Sequence, residues 1–367
     1  MADSLLFPQV EQMSSDLPER MCRRLEHQGF GALTVTIRIG LIGAGIMGAD
    51  HASIFAGQIP GVRLQYVCDA DAARAKSVAE ANGAAHVVTD PYAVIASPDV
   101  DAVVIASPDQ THGPLSIACI KARKPVLCEK PLSPSVAECL DVIGHEVKSG
   151  KRLVQVGFMR RFDPSYVEMR NALKQGLLGN ALMFHNFHRN VSAPSNFTGQ
   201  MAITNSAPHE FDIARFVLDT DYAEISVFQP QNVDTQKTGA PVFMVVKTVA
   251  GQLVNIEVNN NAAYGYDVRG ELVGEKGSVL LRAPVHSELN VNLMQSTAYA
   301  ADWRPRFAEA YRLQNMAWVK SIHTGVPAGA SAWDGYCSTL VADAGVESLA
   351  SGRPAKVIPV VKPEIYN

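Results

Sequence analysis

From Val35 onward, short β-branched runs alternate with alanine-rich stretches of helical period. "VTIRIGLIG" reads as a strand ending in glycine, "ADHASIFAGQ" as a helix and "VRLQYVCD" as a second strand closed by an acid. "AARAKSVAEANG" reads as a helix stopped by glycine. The alternation continues through "HVV", "PYAVIAS", "DAVVIAS", "PLSIACIKA", "PVLCEKP", "SVAECLDVIGHEVKSG" and "RLVQVGF". Such a pattern predicts parallel strands joined by right-handed crossovers, a Rossmann-type doubly wound sheet in an α/β chain. After Phe158 the rhythm changes. A helix, "PSYVEMRNALKQG", leads into longer strands: "ALMFHNFHR", "EISVFQP", "PVFMVVKTV", "QLVNIEVNN", "YDVRGELVGE" and "GSVLLRA". Turn signals such as "AGQ" and "GEKG" between them predict an open, mainly antiparallel sheet in an α+β domain. Helices near Phe307–His323 and Ala332–Ser351 close the chain.

Composition removes several function classes. The 367 residues suffice for about two domains. Hydrophobic residues make up 47% and charged residues 19%, without a disorder signature. A net charge of −4 leaves no basic footprint for nucleic acid or anionic lipid. The apolar runs are strand-length, so no membrane span is expected. Six cysteines lie scattered without metal-ligand spacing, which reads as reduced thiols in a cytoplasmic protein with no metal site. Residues 1–34 lack a continuous apolar core and a small-residue cleavage site, and are read as a loosely ordered extension, not a secretory signal.

The chemistry begins at "IGLIGAGIMGADHA". Gly43, Gly45 and Gly48 form a GxGxxG between strand and helix, with Ile46 and Met47 inside it. The first glycine permits the tight turn, the second lets backbone amides approach a pyrophosphate, and the third allows close helix–strand packing. Asp69, ending the second strand, is placed to bind ribose hydroxyls. Its charge repels a 2′-phosphate and Ile46 offers no compensating cation, which favours NAD over NADP. "ASPDQTHGP" follows the fourth strand at the cofactor edge, making Ser107, Pro108 and His112 cofactor neighbours; His112 could equally make only a local hydrogen bond. This divides the chain into the extension 1–34, an NAD-binding domain 35–157 and an α+β substrate and oligomerisation domain 158–367. The C-terminal segment is expected to pack back on the first domain.

"CEKPLS", with Glu129, Lys130 and a following proline, resembles the signature of the glucose–fructose oxidoreductase/inositol dehydrogenase (Gfo/Idh/MocA) family. A lysine at that sheet edge reaches toward the nicotinamide and can favour a developing alkoxide. "GFMRRFDPSYVEMRNAL", "HRN", "PHEFDIARFVL", "YGYDVRGELVGEKG", "DWRPRFAEAY" and "AWDGY" resemble the inositol dehydrogenase branch, over all but the leading segment. The resemblance implies oxidation of a cyclic polyol, foremost myo-inositol to 2-keto-myo-inositol, with hydride passing to NAD+. It implies His209 as the base and Lys130 as its assistant. Met159, Arg160, His188, Asn190, Asp212 and Tyr264 are implied around the substrate, and a homotetramer as the assembly. Asp212 could instead pair with Arg215, Arg161 with Asp163, and Tyr264 and Tyr266 could pack on the sheet. Glu210 is expected at the helix surface. Another inositol isomer or a pyranose sugar is the nearest alternative substrate, and a catalytically silent dinucleotide-binding regulator the alternative of another class.

One position departs from the resemblance. The branch carries aspartate four residues before the catalytic histidine, whereas this chain has Asn205. A carboxylate orients an imidazole and stabilises its protonated form; an amide can only orient it. Three readings stay open: an active enzyme needing only Lys130 and His209, a pocket for a related polyol, or muted catalysis with binding retained.

Overall fold

The computed structural model describes residues 36–230, 241–282 and 288–367; the expected extension 1–34 lies outside the described residues. The first layer runs β1 (Ile37–Ile42), α1 (Ile46–Gln58), β2 (Val62–Cys68), α2 (Ala72–Asn82), β3 (His86–Val88) and α3 (Pro91–Ala96). It continues through β4 (Ala102–Ile105), α4 (His112–Lys121), β5 (Val126–Cys128), α5 (Val136–Ser149) and β6 (Val154–Val156). In space these strands lie in the order β3-β2-β1-β4-β5-β6, all parallel. Strands β1 and β4 are buried on both faces, which is why they read as continuous apolar runs without alternation. The order reverses between β1 and β4, and the crevice outside their carboxyl ends is where such sheets bind ligands.

The second layer contains α6 (Pro164–Lys174), β7 (Ala181–Arg189), α7 (Pro208–Leu218), β8 (Tyr222–Phe228), β9 (Val242–Thr248), β10 (Leu253–Asn259), β11 (Asp267–Gly274) and β12 (Ser278–Leu280). An exposed hairpin, β13 (Leu289–Val291) with β14 (Met294–Ser296), precedes α8 (Arg304–Thr324). The chain closes with β15 (Ala330–Ser331), α9 (Ala332–Ser351) and β16 (Ala355–Lys356). The second sheet has the order β12-β11-β7-β10-β9-β8-β16, antiparallel except where β7 pairs with β10. The β9–β10 hairpin turns through Gly251 at φ 92°, a conformation that favours glycine. Alternation is clean here: Val242, Met244 and Val246 of β9 are buried, while Phe243 and Lys247 face out. One face of this sheet therefore packs on the core and the other stays open, as the period-2 pattern foretold.

Two late elements tie the layers together. β15 adds to β6 antiparallel, and α9 starts with a capping box in which Ser331 and Asp334 satisfy each other's backbone amides. Helix α9 then packs against α5 and β6 on one side and β8 on the other. Helix α7 has Pro208 in its first turn and is preceded by a widened turn over Ala202–Ser206, in which Ala207 N donates to Ala202 O five residues back at 3.0 Å. From Pro208 to Ala214 every residue of α7 is buried. A helix enclosed this way must pair each charge it carries.

Candidate active site

The dinucleotide loop has the geometry its glycines imply. Gly43 sits at φ 95°, and a Cβ there would lie 2.3 Å from Ala106 O; a Cβ on Gly48 would lie 1.9 Å from Gly43 O. Gly45 differs, since a Cβ would meet nothing within 4 Å. Packing does not require that glycine, so the space it leaves suits a close-approaching ligand. The first turn of α1 carries no side-chain cap, leaving its amides available to an anion. Ile46 is exposed beside them, and Met47 lines the adjoining cavity. These residues fit the pyrophosphate of a dinucleotide.

Asp69 directly follows β2 and accepts from Ala44 N at 2.7 Å, Asp71 N at 2.9 Å and the Arg74 fork at 3.1 and 2.7 Å. Burial opposes its ionisation, yet Arg74 and the two amides hold the carboxyl below the ordinary range. Ser107 Oγ and Thr111 Oγ1 lie 2.6 Å apart just after β4, with Pro108 between them in the chain. His112 is buried, with Nδ1 2.6 Å from Pro131 O and Nε2 2.9 Å from Ser107 O. Only the imidazolium can donate to both carbonyls. Burial opposes the charge, but the Cys128 sulfur and these carbonyls raise the pKa to about 10. His112 thus clamps the loop after β4 to the Lys130–Pro131 turn, where the peptide bond is cis. Both its nitrogens are spent, so it supports the cofactor edge from beneath.

Glu129 is buried in a relay: Asn315 Nδ2 meets His51 Nδ1 at 2.9 Å, and His51 Nε2 meets Glu129 Oε1 at 2.9 Å. Burial opposes its ionisation, but His51 and Lys130 hold it ionised below the usual range. The neighbouring Lys130 donates from Nζ to the backbone carbonyl of Asn205 at 3.0 Å. This bond joins the edge of the first sheet to the turn before α7.

A cavity of about 440 Å³ opens between the layers, lined by Met47, Glu129, Lys130, Met159, His188, Asn190, Asn205 and His209. Most residues implied by the resemblance therefore do converge. His209 Nδ1 is buried without a hydrogen-bond partner among the described residues. Burial first, then the Arg160 and Lys130 cations, push its pKa well below the ordinary value, so the ring is neutral at neutral pH. His188 is held differently. Its Nδ1 donates to Glu210 Oε2 at 3.0 Å, leaving Nε2 for Asn190 Nδ2 at 3.5 Å. Asn190 in turn donates to Asn260, which bonds Ser206 Oγ at 3.1 Å.

Three implied substrate residues lie elsewhere. Arg160 is buried behind the wall, paired with Glu210 and stacked on Phe307. Glu210 is correspondingly fully buried and not at the surface; Arg160 and His188 overcome its burial and hold it at about 2. Asp212 is sequestered by the Arg161 fork at 2.8 and 2.6 Å, not by Arg215, which pairs with Asp221 and Asp334. Arg161 accordingly takes Asp212, not Asp163. Tyr264 is half exposed, bonded to Arg189 and Asp267, and the cavity tyrosine is Tyr266. Asn205 does not orient His209 in this structure: its Oδ1 accepts from Thr204 Oγ1 at 2.7 Å, while its carbonyl holds Lys130. Cavity-lining residues not singled out from sequence are Val191, Ser192, Ser206, Tyr266, Ala301, Asp302, Trp303 and Tyr311. The last three lie in "DWRPRFAEAY", whose distinctness was a signal, although the stretch carried no assigned role.

Comparison with known proteins agrees with this geometry. Residues 37–158 match the Gfo/Idh/MocA "Oxidoreductase family, NAD-binding Rossmann fold", and residues 170–357 match its "C-terminal alpha/beta domain". An inositol 2-dehydrogenase from Saccharopolyspora erythraea is 45% identical over 335 residues, covering 90% of this chain and 99% of that protein. One from Mycolicibacterium smegmatis is 39% identical, covering 88% and 96%. The crystal structure of myo-inositol dehydrogenase from Lactobacillus casei, in complex with NAD(H) and myo-inositol, superposes with a TM-score of 0.86 at 28% identity. That match covers 91% of this chain and 100% of the other.

Proposed function

We propose a function from one premise: the chain belongs to the Gfo/Idh/MocA oxidoreductase family. It oxidises a cyclic polyol with NAD+, converting myo-inositol to 2-keto-myo-inositol. The observation that carries this reading is the meeting of Lys130, from the coenzyme sheet edge, with His209, from α7, in one cavity beside Met47. Bound NAD+ supplies the hydride acceptor. His209, neutral through its surroundings, takes the hydroxyl proton as the carbonyl forms. Lys130 has three N–H groups and spends one on Asn205 O, leaving two to stabilise charge developing on the reacting oxygen. His188 and Asn190 line the same cavity, where the Asn190 side-chain carbonyl oxygen is the group left to accept from a ring hydroxyl and help fix which carbinol is presented.

A specific observation favours a second reading, oxidation of another inositol isomer or a pyranose sugar. The Asn205 side chain turns to Thr204, so the cavity lacks the carboxylate of the related pattern. Incubating the protein with NAD+ and myo-, scyllo- or chiro-inositol, glucose or xylose, and following NADH by absorbance, separates the two. NADH with myo-inositol foremost supports the first reading, and NADH only with a pyranose moves the substrate. NAD+ binding with no turnover on any polyol would sink the dehydrogenase assignment in favour of a silent dinucleotide-binding regulator.

We also propose a homotetramer assembled through the open sheet face. Met183 and Leu253 are paired neighbours there, as are Phe243 and Phe228, and all four are exposed. Sedimentation of the full chain tests it. A cytoplasmic setting is supported by the five described cysteines, all unpaired and buried, and by the absence of any helix among the described residues long and apolar enough to cross a membrane.

A further inference from the structure

Four buried polar side chains form a one-way chain of donors that ends at the cavity wall. Gln314 and Asn315 lie on α8, His51 on α1, and Glu129 directly after β5. Gln314 Nε2 donates to Asn315 Oδ1 at 3.4 Å, which turns the Asn315 amide nitrogen to His51 Nδ1, at 2.9 Å. A neutral ring that accepts at Nδ1 carries its proton on Nε2, and Nε2 donates to Glu129 Oε1 at 2.9 Å. Glu129 Oε2 accepts from the Lys130 backbone N–H at 3.2 Å. Gly157 leaves room for the carboxylate, since a Cβ there would lie 2.9 Å from Oε1. Apolar side chains would join α1 to α8 without desolvating so many polar groups. What the chain delivers instead is a carboxylate held at one place beside Lys130. Among the described residues two carboxylates line the cavity, Glu129 and Asp302, and Asp302 is held by Arg304 at 3.1 and 2.6 Å. Asn205 supplies none.

We propose that His51 and Asn315 are positioning residues: through this chain they fix Glu129 as the counter-charge of the Lys130 ammonium. Burial opposes the ionisation of Glu129, and the His51 hydrogen bond together with the His51 and Lys130 charges overcomes it. Two further titratable groups face the pair. Tyr311 of α8 feels the Glu129 charge, and His209 of α7 feels that of Lys130. His188 of β7, Tyr266 and Asp302 complete the ionisable lining of the cavity. The chain of donors therefore gives Lys130 a fixed negative partner on the sheet edge, on the side away from the Asn205 carbonyl's element.

The test follows Lys130 with no polyol present. The full-length protein is acetylated with trace acetic anhydride from about pH 7 to 11, and modification of Lys130 and of the exposed Lys76 is read by mass spectrometry. Only the uncharged amine reacts, so the curve against pH reports the ammonium. Glu129→Gln keeps the shape and an acceptor for His51 but removes the charge. Its Lys130 curve should move to lower pH by about one unit, the scale of losing one adjacent opposite charge, with Lys76 unmoved. His51→Leu should do the same, because a buried carboxyl deprived of its donor takes up a proton. Asn315→Leu should move the curve the same way by less, and His51→Gln, which keeps an N–H for Glu129, should stay with the parent. Should His51→Leu fail to fold, Glu129→Gln reads the same effect.

An unmoved curve in Glu129→Gln would overturn the proposal. So would Lys130 acetylation rising by one factor at every pH, the mark of loosened packing alone. The catalytic use of this arrangement rests on the proposed oxidation, in which the alkaline limb of kcat/KM should move to lower pH together with the labelling curve. A limb that stays while the labelling moves would remove the positioning role. A chain that oxidised no polyol would still give the labelling shift, so the two readings fail separately.

Discussion

The ends of the cleft proposed for the coenzyme and for the polyol are built on opposite plans. At the coenzyme end the working parts are backbone: uncapped amides of α1, a turn at Gly43, and the open space at Gly45. They are contiguous in sequence, and side chains from further along the chain, Asp69, Ser107 and His112, support them. At the polyol end the parts are side chains from β7, α7, α8 and the loops after β5 and β6. Several charges of that end are consumed before any substrate arrives, Arg160 by Glu210 and Asp212 by Arg161. A backbone cradle needs residues for what they lack, and that shows as a motif. A side-chain pocket depends on which charges remain after burial has forced the rest to pair.

Removing a working group at the polyol end should give the largest effect and leave the coenzyme end untouched. His209→Gln and Lys130→Met should each lower kcat by about 10²–10⁴-fold, the usual range for a positioned acid–base group. NAD+ affinity should stay within a few fold of the parent, measured by calorimetry. A parallel loss of coenzyme binding would show that the two ends are not separable.

The paired charges should matter to stability more than to substrate contact. Glu210→Gln strands Arg160 in the core and should destabilise the fold by about 3–5 kcal/mol, the cost typical of breaking a buried pair from one side. Chemical denaturation reads this directly. Tyr264→Phe, at a half-exposed ring outside the cavity, should change neither stability beyond about 0.5 kcal/mol nor KM for the polyol. A raised KM in Tyr264→Phe would return that residue to the site.

These differences explain what could be read in advance. The parallel sheet, the open sheet and the glycine loop were legible because periodicity and spacing are local properties; Lys130 and His209 were singled out by the resemblance that "CEKPLS" and "PHEFDIARFVL" carry, not by period or spacing. Arg160, Asp212 and Glu210 were misplaced because α7 is enclosed on all sides, and charge pairing across elements is not written in any one of them. Tyr264 and Tyr266 differ by two residues on one segment. Only the pairing of Tyr264 with Arg189 and Asp267 decides which of them faces the cavity. The hairpin β13–β14 and the short β15 and β16 were missed because runs of two or three residues carry no period, and these lie outside the strand–helix alternation that marked the equally short β3.

A smaller effect contrasts two glycines. Gly45→Ala should fold and melt as the parent does, because its Cβ meets nothing, yet bind NAD+ about tenfold more weakly through crowding of the pyrophosphate. Gly48→Ala should lose both stability and binding, since its Cβ would meet the Gly43 carbonyl. Equal behaviour of the two variants would remove the distinction between packing and ligand space.

The smallest expected change lies where the two ends touch. Asn205 holds Lys130 through its carbonyl, and any residue keeps that bond, so Asn205→Asp alters only what the side chain offers His209. At present burial and nearby cations depress the His209 pKa, so the unfolded chain takes up this proton first as the pH falls. His209 therefore costs stability as the pH drops below about 6.5, its ordinary value, with the loss growing down to the depressed folded pKa. A carboxylate within reach of Nδ1, which now has no partner among the described residues, would raise the folded pKa and shrink that loss. It should also move the acid limb of the kcat profile to higher pH and raise kcat at alkaline pH, by less than about tenfold, through better orientation of the ring. Melting and kcat measured across pH 4–9 in both proteins read the two effects independently. If neither curve moves, the residue at 205 is a scaffold for Lys130, and His209 works in this chain without a carboxylate partner at that position.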